Sequence, residues 1–192
     1  EKFIEVADTV LGDEEGPMAA KLFGAAAREY FDKYGMTAST LAKIPVKARR
    51  HAEHNPRAVF TDQLTVEQVL ASPAICDPLT RFQCCPPTCG AAAAILCTDE
   101  FAARHRLETD VRIRAQALVT DMQSSFSGSA IEAVGADMGR HASRQVYEAA
   151  GIGAQDVDVV ELHDCFSVNE VLAYESIGLC VEGGATEFIE NG

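Results

Sequence analysis

Three consecutive residues, His163, Asp164 and Cys165, are the part of this chain whose chemistry is easiest to read. They follow residues 157–162, a near-continuous apolar run with β-branched members, the pattern of a strand covered on both faces. They precede Ser167-Val168-Asn169-Glu170, which has the form of a capping box opening a helix that ends before Gly178. In open α/β sheets, ligands bind beyond the carboxyl ends of strands, where strand turns into helix. If the backbone stays extended there, His163 and Cys165 project to one side, because strand side chains alternate. A thiol just ahead of a helix N-terminus has its thiolate stabilised by the helix dipole and free N–H groups. A neighbouring imidazole can donate to an oxyanion or exchange a proton with the thiol. The competing reading is a His satisfied by backbone and a Cys packed in a turn; the place of the pair at a strand-to-helix switch favours function. Asp164 is expected to support the turn, and Cys180, just past Gly178, to serve packing.

The elements that must position this pair are legible to different degrees. Up to about Gly35 the chain reads as helix, with Met18, Leu22, Ala25 or Ala26 and Tyr30 at helical spacing and Pro17 near the start. Residues 37–56 read as a short helix over 39–44, a basic patch of Lys47, Arg49, Arg50 and His51, and a His54-Asn55-Pro56 turn. Residues 65–70 form another short helix, with Thr65 and Gln68 as a capping box. Short pieces joined by Pro-containing turns predict an inserted, surface-lying subdomain. Residues 90–97 are expected to be a buried strand and 99–106 a helix. In 111–119, Val111, Ile113, Ala115 and Ala117 share one face of a predicted strand. Residues 120–136 read as loop, and a helix from about Asp137 to Ala150 stops at Gly151. From Val111 onward the order strand, helix, strand, helix predicts a βαβ unit with a parallel sheet.

Composition narrows the function classes. With 192 residues the chain can bury one good core, and 29 acidic against 16 basic residues excludes a nucleic-acid partner held by clustered Lys and Arg. No apolar run approaches a membrane span. Taken alone, the basic patch reads as a solvated helix face. The seven cysteines, an odd number in apolar surroundings, point to reduced thiols in a cytosol-like compartment. Cys85 and Cys89 have the spacing of half a zinc site, but no second His or Cys pair of similar form answers them, so no metal is expected. Buried structural cysteines at the start of a strand are the expectation for Cys84, Cys85 and Cys89.

The run from Glu161 through His163, Cys165 and Phe166 to Glu170 resembles the His-Asp-Cys-Phe loop of thiolases of the sterol-carrier-protein type. Phe82-Gln83-Cys84-Cys85-Pro86 leading into Gly90-Ala91-Ala92-Ala93-Ala94 is similar to the same family, as is Ala149-Ala150-Gly151-Ile152 ahead of Asp156-Val157-Asp158-Val159-Val160. One departure is Cys89, where the family leads one to expect an acidic residue. The resemblance implies an α/β class and a partial thiolase-like fold: a mixed sheet with helices on both faces, plus an inserted helical loop subdomain. It assigns residues 1–80 to the loop subdomain and the end of the first-lobe insertion, 81–108 to the last strand and helix of the first lobe, and 109–192 to the start of the second.

Carried over residue by residue, the family's oxyanion-hole His falls on His163 and its acid/base Cys on Cys165. Arg49 and Arg50 become candidates to meet the phosphates of coenzyme A, which enters as a substrate, with no covalently bound cofactor implied. The activity implied is acyl transfer by thiolysis or Claisen chemistry on a 3-oxoacyl-CoA, within fatty-acid degradation and lipid metabolism, with branched-chain or sterol side-chain substrates among those implied. Acyl-CoA and CoA are the implied partners, a homodimer or larger thiolase assembly the implied state. The implied location is the cytoplasm of a bacterium or the peroxisome of a eukaryote. The family's nucleophile loop and Gly-His-Pro loop are not present in these residues, and the ends of the sequence read as those of a partial chain; by itself it is expected to be inactive. Two other readings stay open: a retro-aldol lyase on a steroid side-chain CoA ester, and a non-catalytic acyl-CoA-binding or assembly subunit.

Overall fold

A computed structural model describes residues 10–11 and 16–192. The part of the expected N-terminal helix over residues 1–9 and 12–15 lies outside them. Helix α1, Met18–Tyr34, buries the small residues Ala20, Gly24, Ala25, Ala26 and Ala27 together with Leu22 and Tyr30. It stops at Gly35, whose left-handed φ of 74° costs no side-chain clash. Helix α2, Ala38–Ala52, is capped by Thr37, whose side chain accepts from the Thr40 amide at 3.1 Å. It runs well beyond the expected 39–44, because Pro45 sits inside it without ending it and is itself buried in the core.

Helix α3, Val66–Leu70, has the predicted capping box: the Thr65 amide donates to Gln68 Oε1 at 2.8 Å and the Gln68 amide to Thr65 Oγ1 at 3.2 Å. A two-stranded antiparallel hairpin follows, β1 Ala74–Cys76 and β2 Leu79–Thr80, which the sequence pattern did not announce. It packs on α1 at Gly24, where an added Cβ would lie 3.0 Å from the Asp77 carbonyl and 3.1 Å from Cys76 Sγ. Helix α4, Asp99–His105, begins at the Thr98 cap and lies on an exposed stretch.

The predicted loop 120–136 contains a short helix, α5, Ala130–Ala133. Glu29 of α1 holds its N-terminus: the Ala130 amide donates to Glu29 at 2.6 Å, the Ile131 amide at 3.3 Å, and the Ser129 hydroxyl at 2.6 Å. A carboxylate in that place satisfies donors that a four-residue helix cannot satisfy itself. Helix α6, Ala136–Ala150, ends at Gly151 as predicted. Helices α7, Ser167–Ser176, and α8, Ala185–Glu190, complete the set.

The three predicted strands are the main correction. Residues 90–97, 111–119 and 157–162 form no ladder, and the only sheet among the described residues is the β1–β2 hairpin. Ile95 is 95% exposed, Leu118 99% and Val159 77%, so these runs are not buried either. A strand exists only when a second backbone takes up its N–H and C=O groups, and a β-branched apolar run does not supply that backbone. The expected mixed sheet, with helices on both faces, and its βαβ order are therefore not seen among the described residues.

What packs is helical. Helix α7 lies at the centre, against α1, α2, α6 and α8. Its Ser167, Val168, Glu170, Val171, Leu172, Tyr174 and Ser176 are all buried, the pattern of a helix enclosed on every side. Its C-terminal carbonyls are taken by α6: Ser143 Oγ donates to Ser176 O and Tyr147 OH to Ile177 O, both at 2.6 Å. Gly139 permits that approach, since a Cβ there would stand 3.0 Å from Ser176 Cβ.

Candidate active site

His163, Asp164 and Cys165 lead directly into the N-terminus of α7. Phe166 takes the cap position, is buried, and stacks on Phe23 of α1 with ring centroids 4.8 Å apart. The predicted capping box does not form, and no side chain caps α7. Its Asn169 and Glu170 are used elsewhere. The Asn169 side-chain amide donates to the His163 carbonyl, tying the loop back onto the first turn of the helix. Glu170 accepts from Lys47 of α2 and from Tyr174, while Lys47 also donates to the Tyr174 hydroxyl at 2.9 Å. The side chain of Glu170 is 3% exposed and that of Lys47 33%, so the ion pair is closed at the carboxylate and open at the ammonium.

Cys165 is half-buried. Burial pushes its thiol up and outweighs the Phe166 amide, which pulls it down; Cys85 and Asp164 push it further up. The helix terminus therefore does not deliver the thiolate expected from sequence, because loss of water around the sulfur is the larger effect. Cys165 thus holds its proton more tightly than an ordinary cysteine. Asp164 keeps an open surface, yet crowding around its carboxyl raises it, with Glu170 adding and Lys47 and His163 opposing. His163 itself is exposed.

Opposite this loop lies the cysteine-rich segment. Cys84 faces Phe166 across an isolated antiparallel bridge, and the Cys85 amide donates to the Cys165 carbonyl at 2.9 Å. Only Cys84 of that segment is partly buried, its thiol pushed up to about 11 by burial and its Sγ donating to the Thr80 carbonyl at 3.4 Å. Cys85, Cys89 and Cys97 are exposed, against the expectation of buried cysteines, because the strand that would cover them does not form. Cys180 is half-buried against the core, as expected of a packing residue.

The basic patch divides. Lys47 belongs to the buried pair just described. Arg49 donates to the Asp62 carbonyl at 3.2 Å and lies over the Phe60 ring at 4.7 Å. Arg50 and His51 are exposed in the last turn of α2, where cations meet the negative end of the helix. Among the described residues no hydrogen bond or ion pair joins Arg49 or Arg50 to His163 or Cys165, although α2, which carries both arginines, packs against α7. Sequence reasoning missed Cys85, Asn169 and the Lys47–Glu170–Tyr174 cluster as partners of the site. The only local signal was the Asn-Glu pair three residues after Phe166.

A family model described as thiolase C-terminal domain-like matches residues 121–192. Residues 121–192 are thus similar to the C-terminal domain of the thiolase class. The chain is 45% identical to sterol carrier protein 2 of Bos taurus, an alignment that takes in 100% of this chain and 36% of that protein. Non-specific lipid-transfer protein-like 2 of Caenorhabditis elegans is 37% identical over 99% of the chain and 47% of its own length. Benzoylsuccinyl-CoA thiolase subunit BbsB of Thauera aromatica is 34% identical over 96% and 48%. Among solved structures, the Ltp2-ChsH2(DUF35) aldolase superposes with a TM-score of 0.68 at 24% identity, over 90% of this chain and 46% of that one. The chain is homologous to thiolases of the sterol-carrier-protein type and has their thiolase-like fold. It spans about a third to a half of the length of these relatives. No helix among the described residues is long and apolar enough to cross a membrane.

The Lys47–Glu170 pair yields a stability prediction. Lys47→Met keeps the apolar stem but strips a buried carboxylate of its cation, a loss of about 3 kcal/mol for such pairs. Urea denaturation should show a clear fall in midpoint, and Glu170→Gln in the Lys47→Met background should recover part of it. An unchanged midpoint in Lys47→Met would contradict the pairing.

Proposed function

We propose that this chain supplies part of the active site of a thiolase-type acyltransferase working on 3-oxoacyl-CoA. The observation that carries the reading is Cys165: a half-buried thiol, raised by burial, directly ahead of the central helix and two residues after the exposed His163. A neutral thiol whose proton is held by burial suits a group that gives up and takes back a proton at a forming or breaking C–C bond. His163, with its carbonyl fixed by Asn169, is left with a ring that can donate to the thioester oxygen as negative charge builds there. The homology to thiolases supports this assignment and leaves acyl-chain length open, branched and sterol side chains included. In this reading residues 1–80 are the loop subdomain, 81–108 close the first lobe and 109–192 open the second. Coenzyme A is a substrate, and the working unit is a dimer or larger assembly.

Arg49 and Arg50 take the role of phosphate contacts for CoA. Support comes from their place on α2, the helix whose Lys47 anchors α7, into which His163 and Cys165 lead. Arg50 is exposed, and the planar guanidinium of Arg49 needs to give up a carbonyl contact and two ring faces, those of Phe60 and Phe82. The retro-aldol reading gains little, since the likeness to the aldolase structure is one of fold, and retention of His163 with Cys165 favours the thiolase.

Two measurements on the full-length protein test the proposal. Cys165→Ala should lower thiolysis of a 3-oxoacyl-CoA by at least about a hundredfold, the lower end for loss of a general acid/base. Activity within a few-fold of the parent would refute the role. Arg49→Ala and Arg50→Ala should each weaken CoA binding by about tenfold, as for one lost charge-assisted hydrogen bond. Unchanged affinity in both, by calorimetry, would remove the phosphate contact.

A further inference from the structure

Two cysteines eighty positions apart stand opposite each other beside the site. In the antiparallel pairing that sets Cys84 against Phe166, the Cys85 amide bonds the Cys165 carbonyl, so Cys85 and Cys165 are the next directly opposed pair. Side chains of an opposed pair leave the ladder on the same face, and their Cα atoms stand about 5.5 Å apart when the pair is hydrogen-bonded. That separation lies within the roughly 4.4–6.8 Å that a disulfide bridges. The remaining cysteines are placed differently. Cys84 alternates to the other face and its thiol is engaged with Thr80. Cys76 is buried, and Cys180 is packed against the core.

We propose that Cys85 and Cys165 form a reversible disulfide under hydroperoxide, a modification that withdraws the Cys165 thiol from the site. Cys85 is exposed and is the sulfur that peroxide reaches; Cys165 is covered by comparison. The thiolate of Cys85, its proton given to the solvent, attacks one peroxide oxygen and the O–O bond breaks; Cys85 becomes a sulfenic acid, and the leaving hydroxide takes up that proton as one water. The Cys165 sulfur then attacks the sulfenic sulfur, the S–O bond breaks, and the departing hydroxide takes the Cys165 proton to leave as a second water. Two thiols and one hydrogen peroxide thus give one disulfide and two waters. A dithiol reductant reverses the bond through a mixed disulfide. The short, isolated ladder holds the pair in register without enclosing it, so the bond stays open to exchange. That the bond silences the enzyme rests on the acid/base role proposed for Cys165; that the bond forms does not.

The test uses the full-length protein, reduced, then treated with increasing hydrogen peroxide, alkylated and mapped by mass spectrometry. A Cys85–Cys165 cross-linked peptide, two hydrogens lighter than its parts and removed by dithiothreitol, is the expected result. Cys84→Ser should retain the cross-link. Cys85→Ser should abolish it and leave Cys165 open to alkylation after peroxide; Cys85→Ala serves the same purpose if the serine variant does not fold. Thiolysis should fall in proportion to the cross-link and return with dithiothreitol. Peroxide that carries Cys85 to sulfinic acid, or joins it to another cysteine, with no Cys85–Cys165 peptide would overturn the proposal. A cross-link that forms while thiolysis stays constant would keep the bond and overturn both its regulatory effect and the role given to Cys165.

Discussion

Everything near the site depends on enclosing α7, a helix that carries two carboxylates into the centre of the molecule. Val168, Val171 and Leu172 are 1%, 0% and 4% exposed. Each such burial contributes about 1.5–3 kcal/mol relative to exposure. An unpaired buried carboxylate costs several kcal/mol, enough to cancel two of them. The helix is therefore tenable only with both acids paired. Glu170 has Lys47 and Tyr174, and Glu175 has the Tyr30 hydroxyl with the Gly183 and Ala185 amides at 2.9 and 3.4 Å. Apart from Tyr174 of α7 itself, these partners come from α2, from α1 and from the turn into α8, so satisfying the acids also gathers the surrounding elements.

The same constraint shapes the chemistry. Because α7 starts inside packed structure, its first turn is covered, and Cys165 at its entrance loses water. Burial raises the thiol more than the adjacent amide lowers it. A helix N-terminus in open solvent would produce a thiolate; here it produces a held proton. The nearby Tyr174 is likewise pushed up, by burial and by the Glu170 carboxylate. Burial thus raises both the thiol and the phenol at the site entrance, and Lys47 pairs with the adjacent Glu170.

How much was legible in the sequence follows from the range of each interaction. Gly35 and Gly151 stop helices through their own backbone freedom, and the Thr65–Gln68 box closes over three residues, so all three could be read directly. The Ser167–Glu170 box fails for the opposite reason. Its acid is claimed by Lys47, 123 positions away, and no local pattern announces that. Predicted strands 90–97, 111–119 and 157–162 have the right residues but need a neighbouring backbone, which sequence spacing cannot supply. The His163–Cys165 switch was found because its helix is local; Cys85, its cross-ladder neighbour, was not, because pairing across eighty residues leaves no trace in either segment.

The central claim is that Cys165 sits at the site as a protonated thiol. The direct measurement is the rate at which iodoacetamide alkylates Cys165 in the full-length protein as a function of pH, followed by peptide mapping. A thiol raised by burial should react slowly at neutral pH, with a rate still climbing beyond pH ~8.5, where an ordinary cysteine is half ionised. A rate that has already levelled off at neutral pH would mean a thiolate, and would contradict the account.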